Sequence, residues 1–90
     1  MARAYVLNVD GSETKLDDRP TLAEAQKAVG GYIEDVTNIC RMLGRTGKTV
    51  YVDEEGRLKK YQLNDRATAY FGFPLVGNVL VLEGWKNLKI

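Results

Sequence analysis

The chain has 90 residues, and 13 basic against 12 acidic side chains leave a formal charge of +1. That length suits one domain around one core, and the ordinary share of apolar residues excludes a disordered chain. Charge is shared almost evenly between the two halves, which excludes a basic nucleic-acid arm or an acidic tail.

Residues 4–9 alternate as a strand does, with Tyr5, Leu7 and Val9 on one face. Asp10-Gly11-Ser12 reads as a hairpin turn leading to a second strand at residues 13–16. After the polar punctuation Asp17-Asp18-Arg19-Pro20, Thr21 with Glu24 three residues on makes a capping box. Leu22, Ala25, Ala28 and Val29 then share one helical face, so this short helix is expected to cover a sheet. Gly30 stands where a left-handed helix stop is wanted, and Gly31 lets the chain turn into a strand at residues 32–36. These glycines follow a helix and do not precede one, so they do not form a phosphate-binding loop.

Ile39, Arg41 and Leu43 alternate with Asn38, Cys40 and Met42, which predicts an extended strand. A turn at residues 44–47 then leads to a strand at residues 48–52. Asp53-Glu54-Glu55-Gly56 reads as another turn, and residues 57–61 as the returning strand. Asn64 or Asp65 caps a short helix in which Ala67, Tyr70 and Phe71 share a face, with Gly72 and Pro74 ending it. In the last strand, residues 75–83, Val79-Leu80-Val81-Leu82 is apolar on both faces, which predicts a central or doubly covered position. Residues 84–90 are left as a tail carrying Trp85, Lys86 and Lys89. The expectation is an α+β single domain spanning 1–90 with its core over 4–83. It has a mostly antiparallel sheet and two short helices, in the order ββαβββαβ.

Chemistry finds little support in these residues. The absence of His removes the commonest general base and zinc ligand. Cys40, the single Cys, has no thiol to pair with and no activator, and Ser12 sits in a turn without a base. Glu34 and Asp35 are adjacent on a strand and point to opposite sides. Gly47-Lys48-Thr49 lacks the first glycine of a nucleotide loop, since position 42 is Met, and a strand follows it. Asp53, Glu54 and Glu55 are consecutive on a turn, as Asp17 and Asp18 are, so both groups read as exposed turns and not as cation sites. No catalytic residue, metal or cofactor is expected. Arg41, Arg45 and Lys48, with Tyr51 nearby, could form a modest basic patch for phosphate or nucleic acid, though a solvated hairpin face is the favoured reading. Trp85 in the tail either packs back on its own domain or serves as a self-association anchor. With no signal segment, no run of the ~20 apolar residues a span requires, and no disulfide, a soluble cytoplasmic domain is expected.

Four segments carry a resemblance. They are Val29-Gly30-Gly31-Tyr32-Ile33-Glu34, Asp53-Glu54-Glu55-Gly56-Arg57-Leu58, Asn64-Asp65-Arg66-Ala67-Thr68 and Val76-Gly77-Asn78-Val79-Leu80-Val81. In this order and approximate spacing the chain resembles the domain-of-unknown-function family catalogued as number 3846, over roughly residues 5–82. It departs from the family in a longer connection after the Gly-Gly-Tyr-Ile-Glu strand, and in Leu63 where a Pro often precedes the family's Asn. The resemblance implies an origin in phages, mobile elements or large DNA viruses, and implies no activity. Asn64, Arg66 and Thr68 match the family's motif; capping explains Asn64 and leaves the other two without a reason. The function expected is therefore a non-enzymatic, homo-oligomeric binding module for a host protein or a small anionic ligand, with counter-defence as one use. Its ligand-binding residues are expected to be Tyr32, Arg45, Lys48, Asn64, Arg66 and Thr68, with Trp85 at the interface. A nucleic-acid-binding accessory protein is the alternative, and a cryptic enzyme the third.

Overall fold

The strands with the most apolar sequences lie innermost, because they alone can lose water on both faces. In a computed structural model that describes residues 2–42 and 47–90, these strands are β1 (Arg3–Leu7), β4 (Lys48–Asp53) and β5 (Val79–Glu83). The shorter and more polar β2 (Glu13–Leu16) and β3 (Ile33–Asp35) form the edges. The sheet order is β2-β1-β5-β4-β3, with every neighbouring pair antiparallel. The expected α+β class and the central place of Val79–Leu82 are both observed, with all four of those residues at 0% exposure.

Register places Tyr5 and Val50 on either side of Val81, and this alternation splits the core in two. One face of the sheet carries Tyr5, Leu7, Val50, Val52, Val79 and Val81. It is covered by α2 (Thr37–Met42) through Cys40, and by α3 (Asp65–Phe71) through Ala67 and Phe71. The other face carries Ala4, Val6, Tyr51, Leu80 and Leu82. It is covered by α1 (Leu22–Val29) through Ala25 and Val29, with Trp85 and Leu88 packed beside them. Residues 84–90 are thus no free tail, and Lys89 adds a parallel bridge to Thr21.

Helix ends follow the sequence signals. The Thr21 hydroxyl accepts from the Glu24 N–H at 3.2 Å, and the Glu24 carboxylate accepts from the Thr21 N–H at 2.9 Å, which completes the capping box. Gly30 closes α1 at φ 97° and donates to the Gln26 carbonyl at 2.8 Å.

Three expectations are corrected. Residues 37–42 form a helix and not a strand, so the described residues hold three helices in the order ββαβαβαβ. The spacing that counts there is four, with Val36 and Cys40 both in the core and the Cys40 N–H bonded to the Val36 carbonyl. Residues 57–60 coil instead of returning as a strand, since the Lys59 N–H donates to Glu55 and the Tyr61 N–H to Gly56. The final strand starts at Val79, and Val76 makes only an isolated bridge to Leu63. The expected turn at residues 44–47, including Arg45, falls on positions of which only Gly47 is among the described residues.

Candidate functional site

The C-terminal end of α1, the end of β4 and the segment before β5 converge on one side chain, Tyr61. Its ring lies between two glycines in the left-handed region, Gly30 (φ 97°) and Gly77 (φ 74°). A Cβ on Gly30 would stand 2.7 Å from the Tyr61 hydroxyl, and one on Gly77 would stand 2.6 Å from the ring. The glycines are needed here for close approach as well as for backbone conformation.

The Tyr61 hydroxyl donates to Asp53 Oδ2 at 3.0 Å, and Lys59 Nζ donates to the same oxygen at 2.9 Å. The Glu55 N–H donates to Asp53 Oδ1 at 2.8 Å. Burial pushes the Asp53 carboxyl up. The hydrogen bonds from Lys59, Glu55 and Tyr61 outweigh burial and hold it below the usual carboxylate range. Lys59 also donates to the Gly30 carbonyl at 3.1 Å, so it ties the turn after β4 to the end of α1. Asp53 was expected on an exposed turn with Glu54 and Glu55; it is buried at 4% exposure and only its two neighbours face water. The correction follows from strand parity, since Asp53 shares the face of buried Tyr51.

This construction leaves a cleft of about 280 Å³ bounded by Val9, Lys27, Gly30, Tyr61, Gln62 and Asn78. Asn78 is fixed, because its Oδ1 accepts from the Val9 N–H at 3.1 Å. The Lys27 ammonium and the Gln62 carboxamide, both exposed, have no hydrogen-bond or ion-pair partner among the described residues. Lys27 is the one charged side chain among the described residues lining the cleft.

Of the residues expected to bind ligand, Lys48, Asn64, Arg66 and Thr68 are engaged within the fold. Asn64 is fully buried; its amide donates to the Leu7 carbonyl at 2.8 Å and the Gly77 carbonyl at 2.9 Å, and its Oδ1 accepts from the Ala67 N–H. Arg66 reaches the β1–β2 hairpin, donating to the Gly11 carbonyl and pairing with Glu13 at 3.1 Å. The Thr68 hydroxyl accepts from the Leu75 N–H at 3.0 Å and faces the carbonyl of the same residue, which pins the chain after α3. Lys48 lies over the Tyr70 ring and pairs with Glu83 at 3.4 Å. Tyr32 is 66% exposed on the rim of the sheet. Trp85 is half-buried against the α1 side of the core, with the Arg19 guanidinium over its ring. Arg45 lies outside the described residues. The motif residues Arg66 and Thr68 thus gain a reason as ties between α3 and its neighbours.

Cys40 is buried at 1% exposure, and burial raises its thiol pKa, with the Asp35 charge adding to the effect. Among the described residues, no group of three or more acidic, Cys or His side chains is placed to hold a metal ion, and no helix is long and apolar enough to cross a membrane.

The family described as Domain of unknown function (DUF3846) matches residues 2–87, and the chain belongs to it. No curated protein and no solved structure gives a match. Three of the four segments that carry the family resemblance supply the walls of the Tyr61 cluster: the Gly30-Gly31 turn, the turn starting at Asp53, and Gly77-Asn78.

Proposed function

We propose that this member of the DUF3846 family is a non-enzymatic binding module whose cleft beside Tyr61 receives a small anionic ligand. The observation that carries this reading is the contrast around the cleft. Its walls are locked by internal hydrogen bonds, while Lys27 and Gln62 on its rim hold no partner among the described residues. A pre-formed concave site with a few convergent polar groups is the usual form of a small-ligand pocket. Lys27 supplies the charge for a carboxylate or phosphate, and Gln62 offers both a donor and an acceptor. Arg3, Lys48, Lys59, Arg66 and Lys89 are each matched to a carboxylate, whereas Lys27 at the cleft has no such match among the described residues. A formal charge of only +1 favours a small ligand over a nucleic-acid backbone. Binding without turnover is favoured because Asp53 is consumed in structural bonds and Cys40 is buried with a raised pKa.

Native mass spectrometry of the purified protein, followed by denaturation, tests the reading. A small anion carried by the folded protein, released on unfolding and lost in Lys27→Glu, is the expected result. If no mass accompanies the protein, and inorganic phosphate, citrate and nucleoside monophosphates all fail to move the Lys27 and Gln62 amide resonances, the reading is overturned.

A further inference from the structure

We propose that the outer edge of β3 accepts an extended, basic segment of a partner protein as a sixth strand of the sheet. Among the described residues, β3 ends the sheet and pairs only with β4. The Tyr32 carbonyl accepts from the Glu54 N–H at 2.9 Å, and the Val36 N–H donates to the Val50 carbonyl at 2.9 Å. Backbone groups of alternate residues in an antiparallel strand turn toward the same neighbour. Tyr32, Glu34 and Val36 therefore face β4, and the N–H and C=O groups of Ile33 and Asp35 face outward.

The surface beside this edge has a matching chemistry. A depression of about 80 Å³ has Val52, Phe73 and Leu75 in its lining, with Glu34, Glu54 and Arg57 at the same place. The Glu34 and Glu54 carboxylates are exposed and have no partner among the described residues, whereas Asp53 beside them is buried and paired. Two free carboxylates against one Arg favour a cationic visitor. Tyr32 shares the face of Glu34 by strand parity and extends the contact surface. An added strand puts every second side chain over this face. The segment that fits has an apolar side chain seated in the depression, flanked two residues away on either side by Lys or Arg. Main-chain hydrogen bonds supply affinity in such strand addition, and the alternate side chains supply specificity.

A second copy is the less suitable occupant. Pairing β3 with β3 would bring Glu34 and Asp35 of both copies to one seam, and like charges facing each other across strands destabilise. A short, acidic edge suppresses self-pairing by the same means. This surface is separate from the Tyr61 cleft, so the two proposals stand or fall independently.

The probe is the synthetic peptide Thr-Lys-Thr-Val-Thr-Lys-Thr, titrated into the ¹⁵N-labelled protein. Amide shifts at Ile33, Glu34 and Asp35 are expected, with affinity falling about tenfold or more when both lysines become Glu. Glu34→Lys should reverse that preference and Lys27→Glu should leave it unchanged. Since the Glu34 side chain is exposed and without a partner among the described residues, its variant keeps the fold. Binding that ignores the peptide's charge, shifts confined to the β2 edge, or no shift at all would each overturn the proposal. So would protection of the β3 amides in a concentration-dependent dimer of the protein alone.

Discussion

Gly31 shows how little space the Tyr61 cluster leaves. A Cβ there would stand 2.7 Å from Lys59 Nζ and 2.9 Å from Asp53 Oδ2, whereas Gly11 has nothing within 4 Å. Gly31→Ala should therefore destabilise by about 1–3 kcal/mol through overpacking. Gly11→Ala, strained only by its φ of 91°, should cost about 1 kcal/mol. Chemical denaturation of the two variants side by side checks the ranking. Asn64 is the other residue whose loss is specific. Asn64→Ala strips a buried site of bonds to Leu7, Gly77 and Ala67, and leaving such groups unsatisfied should cost about 3 kcal/mol or more. The same denaturation curves report it, and a loss under about 1 kcal/mol would contradict the role assigned to this side chain.

Among the elements, those with a strong local signal were legible in the sequence. The capping box at Thr21, the stop at Gly30, the cap at Asn64 and the doubly apolar run of β5 each state their own conformation. α2 was not legible, because six residues fit a period of two as readily as one of 3.6, and Ile39, Arg41 and Leu43 alternate by accident. Only burial of Val36 with Cys40 settles the period. The turn at residues 54–60 was misread because its conformation is imposed from outside, by Lys59 reaching back to Gly30. Lys60, at φ 59°, accordingly occupies a region non-glycine residues seldom adopt. The cleft was illegible for a related reason: Lys27, Gln62 and Asn78 belong to three distant segments, and nothing local links them.

Strand ends also carry the main pH response. Glu83 accepts from Arg3 Nε at 2.6 Å and from the Tyr5 hydroxyl at 2.8 Å, and pairs with Lys48, so one carboxylate joins β1, β4 and β5. The Arg3 hydrogen bond, working against partial burial and helped by Tyr5 and Lys48, lowers its pKa from 4.5 to about 2. A depressed carboxyl stabilises the fold fully above its unfolded pKa and loses that contribution as pH falls toward the folded value. Stability should thus decline between about pH 4.5 and 2. Glu83→Gln should be weaker by about 1–3 kcal/mol at neutral pH and should flatten this part of the acid limb. Melting temperatures of both proteins across that range test it.

Taken whole, the molecule is two local units that do not touch through their own strands. The β1–β2 hairpin and the β3–β4 pair meet only across β5, and Arg3 finds Glu83 from 80 positions away. Neither unit alone has a sheet wide enough to stand in water. Closing that long loop costs entropy before any central contact repays it, so the arrival of β5 between its neighbours is expected to limit the rate of folding. The barrier is then topological, and partly assembled chains have no stable resting place on the way to it.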